Sequence, residues 1–341
     1  MVECIKIPFA EIFKQLTEIL NSKGFSQSEA ENCAWLFAQA SLDGVPSHGL
    51  NRFPLFCEFV DRGIVDPKAS PELILQMGMF ERWDGRSGAG PLNAQFAMYR
   101  AIQLSMQNGI GMVALQNTNH WMRAGNYGLQ ATEKGCIGIC FTNTKPNMPA
   151  WGGSEPKLGN NPLVIAIPKK DGPLLLDMAM SQFAYGRLQL FKSAGQQAHF
   201  EAGFDDKGGL TKDPEKVLNN ELALPIGLWK GAGLSLMLDI LCAVLSGGNS
   251  VHQVAGKGTE TCLSQVFISI SPVKLGLDQD KMEEQVVEVL EDLKRSAVFE
   301  GQAVRYPGEH LLKTRKSNME NGVPVESKIW EKIKEIASSL S

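Results

Sequence analysis

The spacing of apolar residues changes after residue 65, and that change restricts the chain to folds that join a helical segment to a sheet. Phe9, Ile12, Phe13, Leu16, Ile19 and Leu20 recur with the period of one helix face, and Gly24 stops the run. Ser26 with Glu29 forms a capping box for a second helix carrying Ala30, Cys33, Ala34 and Phe37, which ends at Asp43-Gly44. A third helix starts near Pro54 and ends at Arg62-Gly63. Beyond it the apolar runs have strand length: 73–77, 110–115, 137–142, 162–167, 174–178 and 263–270. Helical patterns separate them. One follows Pro91 and closes at Asn108-Gly109, and others cover 180–194 and 232–245. A charged amphipathic helix over 278–295 and a last one over 327–340 complete the chain. The expectation is an α+β protein. Residues 1–75 plus 275–341 would form a helical domain, and residues 76–274 a central α+β domain. Residues 197–222 are polar and aperiodic, and read as a long loop of the kind that often serves as a lid or binding element.

Two nucleotide cradles lack support. No Gly-x-Gly-x-x-Gly follows a strand, since Gly85-Arg86-Ser87-Gly88-Ala89-Gly90 has the glycines at the wrong spacing. No phosphate-binding Gly-x-x-x-x-Gly-Lys-Ser/Thr is present either. A net charge of −4 argues against general affinity for nucleic acid or an anionic membrane. The seven cysteines are odd in number and mostly in apolar settings, which favours buried reduced thiols over disulfides or a zinc site. No metal is expected. The first residues, Met1-Val2-Glu3-Cys4-Ile5-Lys6, carry no signal-peptide core. The longest apolar run, 234–245, contains Asp239 and falls short of a bilayer span. A cytoplasmic enzyme is the default expectation.

Chemistry points to two of the five histidines. His48 lies in Asp43-Gly44-Val45-Pro46-Ser47-His48-Gly49-Leu50-Asn51-Arg52, a connection between two helices. His120 lies in Asn119-His120-Trp121-Met122-Arg123, just after the strand at 110–115. Imidazole exchanges protons near neutral pH, and a guanidinium forks onto a carboxylate. Each histidine has an arginine three or four residues on, so the pair suggests an acid/base site for a small oxygenated anion. The alternatives are a turn histidine bonded to backbone and a solvated polar loop. Ser47 could orient His48. Gly125-Asn126-Tyr127-Gly128 opens a short helix whose N-terminus could face an anion. Asp177, at the end of an apolar strand, could hold a ribose hydroxyl or cap the next helix. Lys230 could meet a phosphate or carboxylate, with Trp229 as a flat wall, or be a surface lysine. The Asn- and Gly-rich segments 142–153 and 159–162 suggest backbone approach to a ligand, or simply turn-forming composition.

Taken together these segments resemble the type-2 malate/L-lactate dehydrogenase family of non-Rossmann NAD(P)-dependent oxidoreductases, from Phe9 to the last helix. The resemblance rests on Ser47-His48-Gly49 with Asn51-Arg52-Phe53, Asn119-His120, Thr142-Asn143, Gly159-x-Asn161-Pro162, Asp177-Met178 and Lys230-Gly231. It implies a non-Rossmann NAD-binding fold with a central mixed or antiparallel sheet flanked by N- and C-terminal helices, in a homodimer with the cofactor near the subunit interface. It implies that His48 donates a proton to the substrate carbonyl and that His120 is a second acid/base or substrate-contacting histidine. Ser47, Arg52 and Arg123 would bind substrate, an arginine holding its carboxylate. NAD contacts would fall on Thr144, on Pro173, Leu174, Leu175, Leu176, Asp177, Met178 and Ala179, on Trp229 and Lys230, and on Gly308, Glu309 and His310. Asp205 matches an acidic loop position that some relatives use in catalysis. Lys169 and Lys170 beside the cofactor strand leave NADP open. The implied reaction is hydride transfer between a nicotinamide and the C2 carbonyl of a 2-oxo acid, best a keto-aldonate. Malate, lactate and ureidoglycolate are the rival substrates, and a non-catalytic sugar-acid-binding protein is the rival class.

Overall fold

The computed structural model describes residues 3–339. Met1, Val2, Ser341 and Leu340, where the last helix was expected to end, lie outside the described residues. In chain order the elements begin β1 (Cys4–Ile7), α1 (Phe9–Ser22), α2 (Gln27–Leu42), α3 (Phe53–Asp61), β2 (Glu72–Met77), β3 (Phe80–Asp84), α4 (Gly90–Asn108) and β4 (Ile110–Thr118). Next come α5 (Gly125–Thr132), β5 (Ile137–Thr142), β6 (Pro146–Pro149), β7 (Pro156–Gly159), β8 (Leu163–Ile167) and β9 (Leu174–Met178). They are followed by α6 (Tyr185–Ser193), β10 (Gly203–Phe204), β11 (Leu210–Thr211), α7 (Pro214–Asn220), α8 (Trp229–Ser246) and α9 (Val251–Ala255). The chain closes with β12 (Leu263–Ile270), α10 (Gln279–Lys294), α11 (Leu311–Asn321), β13 (Val323–Glu326) and α12 (Ser327–Ser338).

The expected α+β architecture is borne out. Seven strands form one mixed sheet in the order β2-β3-β4-β12-β5-β8-β9, in which only β3 and β4 run parallel. Alternate residues of a strand face opposite sides, and the sheet's two cores follow that rule. Phe267, Val113, Leu115 and Cys140 pack with α4 and α5. Their neighbours Val266, Ala114 and Phe141 pack with Ala232, Leu238 and Cys242 of α8. The expected domain boundary at residue 75 falls inside β2, which pairs with β3.

A third core holds the ends of the chain together. Ile12, Leu16, Ile19 and Leu20 of α1 pack with Phe37 of α2, Phe53 and Phe56 of α3, and Trp330 and Ile333 of α12. β1 pairs antiparallel with β13, Ile7 opposite Val323, an association that connects opposite chain ends and leaves no local pattern. The capping box at Ser26 and Glu29 forms as expected. Between α2 and α3 the chain makes two single 3₁₀ turns, Pro46–His48 and Leu50–Arg52, joined at Gly49. A Cβ on Gly49 would collide with Ser41 Oγ and lie 2.8 Å from the Phe37 carbonyl. The histidine turn therefore rests directly on the backbone of α2.

Several expectations are corrected. The helix over 180–194 shrinks to α6, because Met180 and Gln182 donate their N–H groups to the carbonyls of Asn160 and Leu224 and stay extended. The long loop over 197–222 contains the β10–β11 hairpin and α7, which Asp213 caps through the Glu215 N–H. β3 escaped notice because Glu81 and Arg82 interrupt its apolar run. Glu81 is nonetheless fully buried, accepting from Arg100 at 2.6 and 3.1 Å and from the Trp83 indole at 2.9 Å. α8 is longer than the apolar run suggested, and by length and composition it could cross a membrane. One side of it packs on the sheet, where Asp239 accepts from Asn143 Nδ2 and from the Val251 N–H. The other side exposes Leu234, Met237, Ile240, Leu241 and Val244.

The layers are clamped at one carboxylate. Asp43, at the end of α2, has a fully buried side chain that pairs with Arg123 and accepts from Arg315 Nε at 2.6 Å and Nη2 at 2.8 Å. Removing one member of a buried ionic network leaves uncompensated charge behind. Asp43→Ala should therefore lower unfolding free energy by about 3–5 kcal/mol in urea titrations. A loss below about 1 kcal/mol would show that the clamp contributes little beyond a surface pair.

Candidate functional site

His48 and His120 stand side by side in a cleft of about 1130 Å³, with ring centroids 5.8 Å apart and planes inclined by 16°. The two 3₁₀ turns form one wall. Segment 120–124, the end of β9, residues 305–311, and the polar residues around β6, α6 and α7 form the others.

The His120 segment is fixed from several sides. Asn119 Nδ2 reaches the carbonyls of Ile64, Ser87 and Gly88 at 2.9–3.2 Å, and its Oδ1 accepts from Thr261 Oγ1 at 2.8 Å. A Cβ on Gly90 would collide with the carbonyl oxygens of Asn119 and His120, so α4 can start here only with glycine. Trp121 is buried against Tyr127 and Phe267 in the sheet core, whereas Met122 is buried in the helical core. Those two side chains anchor the segment from opposite layers. Met122 adopts φ 63° and points its N–H at His120 Nδ1, 2.9 Å away. Nδ1 must then be the acceptor, which leaves the ring proton of neutral His120 on Nε2. His48 Nδ1 lies 3.2 Å from Ser47 Oγ, and Gly186 of α6 passes so close that a Cβ there would be 2.7 Å from Ser47 Cβ.

Burial lowers both imidazoles to a pKa of about 3. At His48 the neighbouring His120 and Arg52 lower it further and Glu260 opposes them, and at His120 Arg52 adds to the burial effect. The two arginines differ. Arg52 lines the cleft with Nη2 3.5 Å from Glu260 Oε2. Arg123 also lines the cleft, and gives Nη1 to the Asp43 carboxylate and to Asn126 Oδ1, while its Nε is buried without a partner.

Strand alternation sorts the expected cofactor residues. Leu175 and Asp177 of β9 face the cleft, as does Ala179 just beyond it. Leu174, Leu176 and Met178 do not line it, and neither does Pro173. Asp177 caps a helix, but not the following one: its Oδ2 accepts the Gly125 N–H at 2.8 Å, so the start of α5 faces an anion supplied by the chain itself. The surrounding protein raises the Asp177 carboxyl pKa, against the lowering effects of Arg123 and this hydrogen bond. Thr144 lines the cleft with its N–H held at 3.1 Å by Asn161 Oδ1, over a close approach of Gly159. Gly308, Glu309 and His310 line it too. Gly308 has φ 86°, and a Cβ there would press on the Leu175 nitrogen at 2.8 Å. Lys294 pairs with Glu309 and holds its carboxyl below the usual range, while Glu309 Oε2 is buried without a partner. Trp229 and Lys230 lie outside the cleft, on the exposed start of α8. Asp205 is also outside it, its carboxylate folded onto the N–H groups of Lys207 and Gly209.

Lys145, Asn147 and Asn160, from the segments 142–153 and 159–162 that suggested approach to a ligand, also line the cleft, as do Glu260, Tyr185, Glu221 and Arg305, which were not singled out in the sequence. Their only sequence signal is the polarity of the loops that carry them.

Both histidines are protonated in the unfolded chain below pH 6.5 and neutral in the folded cleft down to about 3. Their neutrality therefore favours folding above pH 6.5, and that contribution is lost as pH falls through this interval. Replacing both with Gln should flatten the decline in urea midpoint between pH 7 and pH 4.5, by up to one proton per histidine. An unchanged decline would mean that the imidazoles titrate normally.

Comparison with known proteins identifies the family of the chain. A sequence model of the family described as malate/L-lactate dehydrogenase matches residues 7–334. The 2,3-diketo-L-gulonate reductase of Pasteurella multocida (strain Pm70) is 41% identical over 335 residues, covering 97% of this chain and 100% of that protein. The enzyme of the same name from Haemophilus influenzae is 41% identical over 334 residues, with 97% and 99% covered. Among solved structures, malate dehydrogenase from Pyrococcus horikoshii OT3 superimposes with a TM-score of 0.90 at 30% identity, over 100% of this chain and 97% of that one. Malate dehydrogenase from Entamoeba histolytica superimposes with a TM-score of 0.94 at 27% identity, over 99% and 98%.

Proposed function

The chain belongs to the malate/L-lactate dehydrogenase family, and on that premise we propose that it reduces the C2 carbonyl of a 2-oxo sugar acid with NADH. The substrate is 2,3-diketo-L-gulonate and the product 3-dehydro-L-gulonate. The observation that carries this reading is the pair of imidazoles side by side near Arg52 in one cleft, in a chain 41% identical to reductases of that name.

The roles follow from the geometry. Arg52 takes the substrate carboxylate. His120 presents Nε2–H to the carbonyl oxygen as a neutral hydrogen-bond donor, since protonating Nδ1 would break the bond from Met122. His48 delivers the proton to that oxygen. Burial is the main cause that holds the His48 pKa down; a carboxylate on Arg52 offsets the smaller contribution of that guanidinium, and Glu260 favours the protonated form that delivery requires.

The cleft suits a nicotinamide dinucleotide: the unpartnered Glu309 Oε2 and the Asp177 carboxylate can accept ribose hydroxyls, with Thr144, Leu175, Ala179, Gly308 and His310 beside them. When bound, that cofactor supplies the hydride. Two carboxylates disfavour a 2′-phosphate, and the Lys170 ammonium pairs with Asp280 outside the cleft, which supports NAD over NADP. The exposed apolar side of α8 supports a homodimer, with Trp229 and Lys230 on the shared face.

Steady-state rates with NADH and NADPH over 2,3-diketo-L-gulonate, oxaloacetate, pyruvate and oxalurate test the substrate. Preference for the sugar acid with NADH is expected, and preference for oxaloacetate would make this a malate dehydrogenase. His48→Ala should lower kcat by about 10²–10⁴-fold with NADH binding retained. His120→Gln, which keeps a donor, should cost far less than His120→Ala, which should lose about 10²-fold. Equal losses for Gln and Ala would overturn the donor role of His120.

A further inference from the structure

One wall of the cleft is more polar than carbonyl reduction requires, and its groups continue outward from the carboxylate clamp. Glu260, 3.5 Å from Arg52 through one oxygen, accepts the Lys145 N–H through the other at 3.3 Å. The Lys145 ammonium pairs with Glu221. Glu221 ends α7 in the left-handed conformation, φ 53° and ψ 34°, where glycine is the usual residue. That backbone places a carboxylate on the cleft wall at a position an ordinary helix end would leave bare. Asn147 is 5% exposed, donates from Nδ2 to Asn160 Oδ1 at 2.9 Å, and has its carbonyl occupied by Tyr185 Oη at 2.6 Å. Its Oδ1 is buried with no donor. A buried amide oxygen without a partner, in a residue that lines a cleft, calls for a donor from the ligand.

This set of groups selects a chemistry. An ammonium, two carboxylates and an amide oxygen offer both acceptors and donors, which matches vicinal hydroxyls, each of which donates and accepts. Lys145 is already neutralised by Glu221, and Glu260 adds negative charge, so a second substrate carboxylate would meet repulsion there. An apolar tail would leave Asn147 Oδ1 without a partner and would desolvate the Lys145–Glu221 and Arg52–Glu260 pairs without replacing their lost water. We propose that Lys145, Asn147, Glu221 and Glu260 form a subsite for the hydroxylated tail of a sugar acid whose carboxylate sits on Arg52. The proposal rests on the sugar-acid reading above and adds where specificity resides.

Calorimetric titration of L-gulonate and of L-lactate into the NADH-bound protein tests it without turnover, because both acids are already reduced at C2. The wild type should bind L-gulonate at least tenfold tighter than L-lactate. Lys145→Met and Asn147→Leu should each reduce that ratio about tenfold, with NADH affinity retained. Lys145 is half-exposed, so its variant carries the test if the buried Asn147 variant fails to fold. Equal affinities in the wild type, parallel loss of both acids, or a loss of NADH binding instead would overturn the subsite, the last by giving this wall to the cofactor. A wild type that prefers L-gulonate but reduces no 2-oxo acid would leave the subsite standing and remove the reductase reading.

Discussion

The cleft exists because Asp43 is buried between two guanidinium groups. Taking a carboxylate out of water costs several kcal/mol unless opposite charge and hydrogen bonds replace the lost solvation. Here Arg123 and Arg315 supply both. The three partners come from different parts of the chain. Asp43 ends α2, five residues before His48. Arg123 follows His120 by three residues. Arg315 lies in α11, just after the stretch from Gly308 to His310. One electrostatic node therefore fixes the relative positions of the His48 turn, the His120 segment and the C-terminal wall. Contacts of this kind are worth more as geometry than as net stability, since a well-packed apolar replacement could stabilise as much.

Around that node the chain relies on backbone contact. Gly49 lets the His48 turn rest on α2, and Gly90 lets α4 start against the carbonyls of Asn119 and His120. Met122 accepts a left-handed φ so that its N–H meets His120 Nδ1. Trp121 and Met122 follow His120 directly in the sequence. In the fold they are the two anchors that hold this strained turn, one in each core. In the proposed reaction the substrate-facing chemistry would fall to Nε2 of His120 and to His48.

Legibility in the sequence followed locality. α1 and α2 were readable because apolar spacing and a capping box are local signals, and β5, β9 and β12 because their apolar runs are continuous. β1 and β13 were not, since each is four residues long and its only partner is at the opposite chain end. Glu81 concealed β3 because its charge partner, Arg100, lies in the following helix. The same limit applied to the site. The histidines stood out by rarity and setting, and Asp177 by its place at a strand end. The role of Arg123 depended on Asp43, 80 positions away. Glu260 had no distinguishing neighbours and Asn147 only the polar composition of segment 142–153, and what sets both apart is the cavity the fold turns them toward. Alternation along β9, once the sheet is known, is enough to separate Leu175 and Asp177 from Leu174, Leu176 and Met178.

The missing glycine fingerprint has a structural counterpart in α5. In doubly wound dinucleotide folds the free N–H groups at a helix start receive the pyrophosphate. The comparable helix start here, at Gly125, faces the cofactor strand, but its N–H is already bonded to the Asp177 carboxylate. The helix end is thus neutralised by the chain itself, and a diphosphate placed there would meet a negative charge. What the same arrangement does provide is a fixed acceptor on the cleft wall, raised in pKa by its surroundings yet held by a backbone donor. An acceptor of that kind recognises hydroxyls. On the proposed function, hydroxyl recognition by carboxylates would take the place of phosphate recognition by a helix, at Asp177 and Glu309 for a ribose and at Glu221 and Glu260 for a polyol. This is why the histidines and the polar loops, and not a glycine motif, carry the functional signal in the sequence.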